Sequence, residues 1–324
     1  MTLGVPKTRA EVKDLQRLRQ LFLDAPSQQG VQDYWSDDRL LQLYDDTYAR
    51  RIAWKWDAVL ADLGVRGWTP GSSISRIIDW GCGSGVASER YLAHYASVSS
   101  PPLLVSDRSA RARHFTERKL KTQNTNLNIS SAPPDTIVTE PSDLVLLSHV
   151  LTELTESQFE KLLGSIEKAH CLVWVEPGTP FCSQRLIQVR EQLKENFAVI
   201  APCPHQRSCG LINSNKDWCH FFANPPGEIF QSSDWMLFAK ELNIDLRSLP
   251  VSYLVLQRNK NALAAQSNRV IGRPRFYKGH GKFLVCRADG VKEESLQERN
   301  HKADFKTWQK DCFSVQITSA ADSD

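Results

Sequence analysis

Residues 77–85 read IIDWGCGSG, and residues 86–95 continue VASERYLAHY. Three β-favouring residues and one acid lead into glycines at 81, 83 and 85, then into a helix-like run. A buried strand that stops at a tight turn and feeds a helix uses glycine where backbone passes close to a ligand. The N–H groups of such a turn are expected to face what is bound. The spacing is GxGxG with Asp79 just before it, not the GxGxxG of a dinucleotide site. A nucleoside cofactor is the better fit, with S-adenosylmethionine (SAM) the leading candidate. Asp79, Gly81, Cys82, Gly83 and Gly85 are the residues expected to shape its loop.

Towards the C-terminus, LLVSD ends on Asp107, twenty-two residues past Gly85. An ionised carboxylate there can accept from both ribose hydroxyls of a nucleoside, or cap the helical run SARARHFTERKL that follows. Residues 143–150 (DLVLLSHV) form a further strand pattern, 155–169 a helix, and 171–175 a strand closing on Glu176-Pro177-Gly178. Strands separated by helices predict a parallel sheet covered on both faces, binding ligands at the strands' carboxyl ends. Asp107, Ser148, His149 and Glu176 all fall at or just past such ends. Ser148 and Glu176 are expected nearer the methyl group, and His149 is the side chain suited to general-base work. No Asn/Asp-Pro-Pro-Tyr run follows the 143–150 strand, which argues against amino methylation of adenine.

Towards the N-terminus, two helical patterns precede the sheet. One covers residues 11–24; a longer one covers about 39–63, with Leu41, Tyr44, Tyr48, Ile52, Trp56 and Leu60 on one side. Arg50, Arg51, Trp54 and Lys55 read as a solvated basic face beside a packed one. Residues 64–75 (GVRGWTPGSSIS) form a linker.

The 324 residues suffice for one large or two modest cores, and the net charge of +3 names no partner. No apolar run approaches the length of a membrane span, and neither a secretory signal nor an ordinary transit peptide is expected. Charge is uneven, however: residues 258–287 hold eight Lys or Arg and no Asp or Glu. Eight cysteines without a secretory signal point to thiol, metal or redox chemistry before structural disulfides.

Three of those cysteines lie in residues 201–222, APCPHQRSCGLINSNKDWCHFF. Cys203, Cys209 and Cys219 sit in a polar loop that something must pin. Shared ligation of a metal does this, with His205, His220 or the distant Cys286 as fourth ligand. Zinc and an iron–sulfur cluster both accept such a set. Cys82, Cys171, Cys182 and Cys312 stand singly and read as small core residues.

At this point the chain resembles a known family. APCPHQRSCGL and DWCHF, then VSYLVL and LVCRADG, together with IIDWGCGSG, SHVLTEL and VEPGTP, look like the Rsm-type family. These are methyltransferase-like proteins of the mitochondrial ribosomal small subunit, with bacterial relatives. The likeness spans roughly residues 40–290. It implies a Rossmann-like SAM-dependent methyltransferase fold and a 4Fe–4S cluster on Cys203, Cys209, Cys219 and Cys286. It also implies association with the small ribosomal subunit and its rRNA in assembly or translation. This chain differs from the pattern in Trp80 and in its Trp-rich 54–56 segment.

After the cysteine loop, SDWMLFAKELN reads as a helix and PVSYLVLQRN as a strand. RVIGRPRF, GKFLVCRADG and CFSVQI then predict a small β-rich barrel or extension packed on the loop. Arg269, Arg273, Arg275, Lys278, Lys282 and Arg287 interleave there with Phe276 and Tyr277, a mixture suited to phosphate contact and base stacking. The expected organisation is an α/β fold: N-terminal helices (1–75), a SAM-binding Rossmann-like domain (76–200), a cysteine loop with a basic β-rich region (201–317), and a disordered tail (318–324). Two other readings stay open: a non-catalytic RNA-binding scaffold with a vestigial pocket, and a zinc-stabilised small-molecule methyltransferase. A monomer is expected, in a bacterial cytoplasm, or in the mitochondrial matrix if the source is eukaryotic.

Overall fold

A computed structural model describes residues 8–23, 33–71, 73–95, 101–258, 268–310 and 317–318. Eight strands form the central sheet: β1 (Arg76–Trp80), β2 (Leu103–Ser106), β3 (Ile129–Ala132), β4 (Asp143–Ser148), β5 (Cys171–Pro177), β6 (Ala198–Ala201), β7 (Phe221–Phe222) and β8 (Pro250–Gln257). Their order is β3-β2-β1-β4-β5-β8-β6, with β7 also paired to β8. Strands β1 to β5 run parallel, whereas β8 lies antiparallel between β5 and β6. The sheet is therefore mixed rather than wholly parallel, and it recruits strands from beyond residue 201. Its parallel part, ordered β3-β2-β1-β4-β5, is a Rossmann-like α/β sheet.

The helices are α1 (Arg9–Leu23), α2 (Asp38–Asp46), α3 (Tyr48–Val65), α4 (Val86–Tyr95), α5 (Ala110–Gln123), α6 (Glu156–Ile166), α7 (Pro180–Leu193), α8 (Ser233–Leu242) and α9 (Lys302–Lys310). Alternate strand residues face opposite layers, as a period of two requires. Ile77, Leu144, Leu146 and Val173 pack with α3 and α4, while Ile78, Val145, Leu147 and Leu172 pack with α6 and α7. Burial on both faces is why β4 and β5 are apolar runs without alternation. Helices α1 and α2 pack with α8 through Leu15, Leu43, Trp235 and Phe238.

The helical pattern over 39–63 is two helices, not one. Thr47 interrupts it at φ −124° and ψ −86°, and its hydroxyl donates to Leu43 O at 2.6 Å. A β-branched residue whose side chain satisfies the preceding turn supplies such a break.

The basic C-terminal region forms an open antiparallel sheet rather than a barrel. Strands β9 (Asn268–Tyr277), β10 (His280–Arg287), β11 (Gly290–Gln297) and β12 (Ile317–Thr318) lie in the order β11-β10-β9-β12. Strand β11, GVKEESLQ, lacks apolar alternation and was invisible to periodicity; its main chain forms because β10 offers a free edge. Helix α9 was missed as well. Most of CFSVQI and the end of the chain lie outside the described residues. Among those described, no helix is long and apolar enough to cross a membrane.

Candidate functional site

At the carboxyl ends of β1, β2 and β4 lies a cavity of about 520 Å³. Gly81, Cys82, Gly83, Asp107, Ser148 and His149 line it; Asp79, Gly85 and Glu176 do not. The three glycines take φ of +73°, +52° and +79°, a region that disfavours side chains. Their tasks differ. A Cβ on Gly81 would meet Val150 Cγ1 at 2.5 Å, and one on Gly85 would meet Thr116 Cγ2 at 2.6 Å, whereas one on Gly83 finds open space. The expected outward-facing N–H groups are already used. Gly81 and Cys82 donate to Ser106 O, Gly83 to Asp107 Oδ2, and Gly85 to Cys82 O. The loop thus supplies shape and close approach more than donors.

Asp107 accepts from Gly83 N at 3.0 Å and from Ser109 N at 2.9 Å. The α5 cap is Ser109, not Asp107. Burial pushes the Asp107 carboxyl up, against these two donors. Each of its oxygens keeps a lone pair for a hydroxyl in the cavity. Asp79 is turned away from the cavity, accepting from Ser88 N and Oγ at 3.2 and 2.6 Å, and burial pushes it up to about 6. Its task is to tie β1 to α4.

Glu176 is likewise off the cavity. Its Oε1 accepts from Trp174 Nε1, Val150 N and Leu151 N at 2.7, 3.0 and 3.2 Å, which holds the turn after β4. That turn puts His149 at φ +56°, unusual for a residue with a side chain. His149 Nε2 and Lys55 Nζ share a 3.2 Å hydrogen bond, and Ser148 Oγ accepts from Trp56 Nε1 at 2.9 Å. Desolvation and the Lys55 charge push the imidazole well down, and desolvation lowers Lys55 to about 7. Both ring nitrogens of His149 thus have partners, Nε2 with Lys55 Nζ and Nδ1 with Ser148 Oγ at 3.5 Å.

Sequence reasoning missed the cavity's aromatic wall. Tyr34, Trp35, Tyr44, Arg108 and Glu153 line it. Tyr34 Oη donates to Glu153 Oε1 at 2.9 Å, and Arg108 pairs with Glu153 at 3.1 Å while lying over the Tyr34 ring at 5.6 Å. Burial pushes Glu153 up to about 7. The one available signal was the Tyr34-Trp35 pair in an otherwise polar connector.

The cysteine loop joins β6 to β7. Cys203, Cys209, Cys219 and Cys286 line one void of about 20 Å³ with His205, Ile271 and Arg269. All four are free. Among the described residues, no three His, Cys, Asp or Glu side chains are grouped closely enough to hold a metal ion. Arg190, from α7, brings Nε to 3.3 Å from Cys203 Sγ and donates to His205 O at 3.1 Å. Glu191 accepts from Cys209 N at 3.0 Å, and Leu211 N reaches Cys209 Sγ at 3.5 Å. Burial pushes the Cys209 and Cys219 thiols up, and that of Cys286 to about 12. His205 Nε2 lies 3.7 Å from Cys286 Sγ. His220 is stacked on Trp218 at 4.7 Å, away from the void. Cys171 and Cys182 are buried singly, Cys82 is buried in the glycine loop, and Cys312 is outside the described residues.

The basic segment divides. Arg269 is buried at 1 % exposure, paired with Asp62 and Tyr253, and Arg287 pairs with Glu294 at 2.6 Å. Phe276 packs against Phe305 of α9 at 5.3 Å. These three are structural, contrary to expectation. Arg273, Arg275, Tyr277 and Lys278 are exposed.

Residues 49–312 match the protein family described as mitochondrial small ribosomal subunit Rsm22, a span holding both the cavity's main elements and the four cysteines. The chain belongs to this family. No individual curated protein matches it. Among solved structures, a putative RNA methyltransferase from Pyrococcus horikoshii is similar at TM-score 0.39 and 11% identity, over 66% of this chain and 85% of that one. The magnesium protoporphyrin IX methyltransferase ChlM from Synechocystis PCC 6803, with bound SAM, is similar at 0.40 and 11%, over 78% and 100%. The plantazolicin methyltransferase BamL gives 0.40 and 11%, over 78% and 98%. At these scores the likeness bears no functional conclusion.

Proposed function

We propose that this protein is a SAM-binding, methyltransferase-like factor of the small ribosomal subunit that carries an iron–sulfur cluster and contacts rRNA. The observation that carries the reading is family membership over residues 49–312. The family's description favours the mitochondrial matrix over a bacterial cytoplasm. Gly81, Cys82, Gly83, Asp107, Ser148 and His149 would hold SAM, with Asp107 accepting from the ribose. SAM when bound supplies an electrophilic methyl group. The chain's share of any transfer would be alignment and water exclusion by the aromatic wall.

Cys203, Cys209, Cys219 and Cys286 would hold the cluster. Four thiols with no carboxylate among them form a soft donor set. The Arg190 and Arg269 guanidiniums beside them would offset thiolate charge in a buried place. Thiol protons would leave on binding, so affinity would rise with pH. Donor count does not separate iron–sulfur from zinc, so anaerobic purification with iron, sulfide and zinc analysis is the test. Zinc without sulfide would sink the cluster.

SAM binding is tested by equilibrium titration of the purified protein. Gly83→Arg should abolish it at a modest backbone cost, because the new side chain starts in open space but at a φ of +52°. Failure of the wild type to bind SAM with its metal intact would leave a scaffold. Two observations favour the scaffold reading: Glu176 is off the cavity and His149 is engaged by Lys55. Transfer from labelled SAM to small-subunit particles separates the two.

A further inference from the structure

The β9–β10 hairpin has two unlike halves on one face. Directly opposed residues in an antiparallel pair point the same way. Near the cysteine void the pairs are Arg269↔Cys286 and Ile271↔Leu284; past a bulge they are Arg275↔Lys282 and Tyr277↔His280. Ile271, Leu284 and Cys286 pack with Leu211 and Cys209, docking the near half onto the loop. The far half stays at the surface, with Tyr277 50 % exposed and the Arg275 and Lys282 side chains exposed. Helix α9 covers the other face, through Phe305 on Phe276 and Trp308 on Phe283.

Two features of the far half bear on what could bind it. Like charges placed directly opposite in a ladder repel, yet Arg275 and Lys282 oppose each other and share one carboxylate, Glu293. Exposed pairs of this kind are weak and exchange readily for another anion. Beside them, the Tyr277 ring stacks flat on His280 at 5.0 Å and 14° with half its surface in solvent, and Lys278 is exposed at the tip. Surplus cations next to an open aromatic face are complementary to a nucleotide, through phosphate and base together.

We propose that the far half of this hairpin is a contact face for single-stranded RNA. Arg275 and Lys282 take a phosphate in exchange for Glu293, and Tyr277, backed by His280, stacks a base. Alternate residues along β9 are about 6.7 Å apart, so Arg273 and Arg275 extend the track toward Phe222, on which the Arg273 guanidinium lies at 4.1 Å. The cysteine centre anchors the near half and so sets where the far half points. The proposal rests on the rRNA-contact reading above and names its surface.

The test uses the full-length protein with its metal retained and a fluorescein-labelled oligouridine, by anisotropy from about 0.05 to 0.3 M salt. Tyr277→Ala should weaken binding about tenfold, with Tyr277→Phe restoring it. The Arg275→Ala, Lys282→Ala double variant should lower the salt slope by about 0.7, one single-strand phosphate contact's worth. Arg111→Ala and Arg118→Ala on α5 should change neither. If the wild type binds neither oligouridine nor small-subunit rRNA, the rRNA reading itself falls. If it binds and Tyr277→Ala binds equally well, this face is wrong. A duplex of equal length binding as tightly, or an oligoglutamate peptide doing so, also overturns single-stranded RNA as the occupant.

Discussion

Glu176 lies near the end of β5, with Oε1 taking three N–H donors and Oε2 buried without a hydrogen-bond partner among the described residues. Burial pushes this carboxyl up to about 7 from an ordinary 4.5. The folded state then holds a proton that the unfolded chain releases above pH 4.5. Stability from this group is full below that value and is lost as pH rises toward about 7. The slope is about 1.4 kcal/mol per pH unit for one proton. Asp79, raised to about 6, acts in the same direction over a narrower window. Glutamine keeps the acceptor and mimics the protonated acid. Urea midpoints at pH 5 and pH 7 should therefore fall less in Glu176→Gln than in the wild type. An unchanged pH dependence would mean that Glu176 is already ionised at pH 5. Residue type and position made Glu176 legible as a strand-end acid. Its direction was not, because one χ angle decides between cavity and turn.

At the scale of elements, α3 meets both centres. Its N-terminal half brings Ile52 to the cavity wall and Lys55 to His149; its C-terminal half carries Asp62, and Arg66 caps it. Burial would raise Asp62, but Arg269 and Arg66 hold it below the usual carboxylate range. Tyr253 donates to Asp62 at 2.7 Å, and Arg66 donates to Pro202 O at 3.1 Å, at the start of the cysteine loop. So α3, β8, β9 and the loop share one buried polar network. Removing one partner of such a network leaves a charge uncompensated. Arg269→Leu should destabilise by roughly 3 kcal/mol, at the low end of the range for broken buried pairs because Arg66 stays. Calorimetry would read this as a thermal midpoint lower by roughly 5–10 °C. A shift under a degree would show that Arg66 alone satisfies Asp62. Helical periodicity exposed α3, but the ion network was hidden, since Asp62 and Arg269 are far apart in the chain.

For the whole molecule, the question is whether the two centres fold together. Among the described residues, none beyond Ser165 lines the cavity, and the cysteine void draws on residues 202–291. The proposed metal, joining Cys219 to Cys286, would close a long loop and so couple its binding to folding of the second sheet. Cys286→Ser, or removal of iron by a chelator, should expose residues 268–310 to trypsin and leave SAM affinity within about twofold, a small change against the tenfold per 1.4 kcal/mol of a lost contact. A second sheet still protected after metal removal would show that packing of Leu211, Ile271 and Leu284 suffices without it.

By itself the sequence determined what is local. Apolar runs and the glycine spacing follow from backbone geometry within a few residues, so β1, β2, β4, β5 and the turn at Gly81 to Gly85 were readable. The family motifs also named four cysteines. Tertiary structure alone decided which acids reach the cavity, since Asp107 does and Asp79 and Glu176 do not. It alone supplied the Tyr34 and Trp35 wall, the acids of β11 opposite the basic strand, and the burial of Arg269. Each of these depends on contacts between distant segments, where charge pairing and side-chain direction are settled by neighbours that local pattern does not encode.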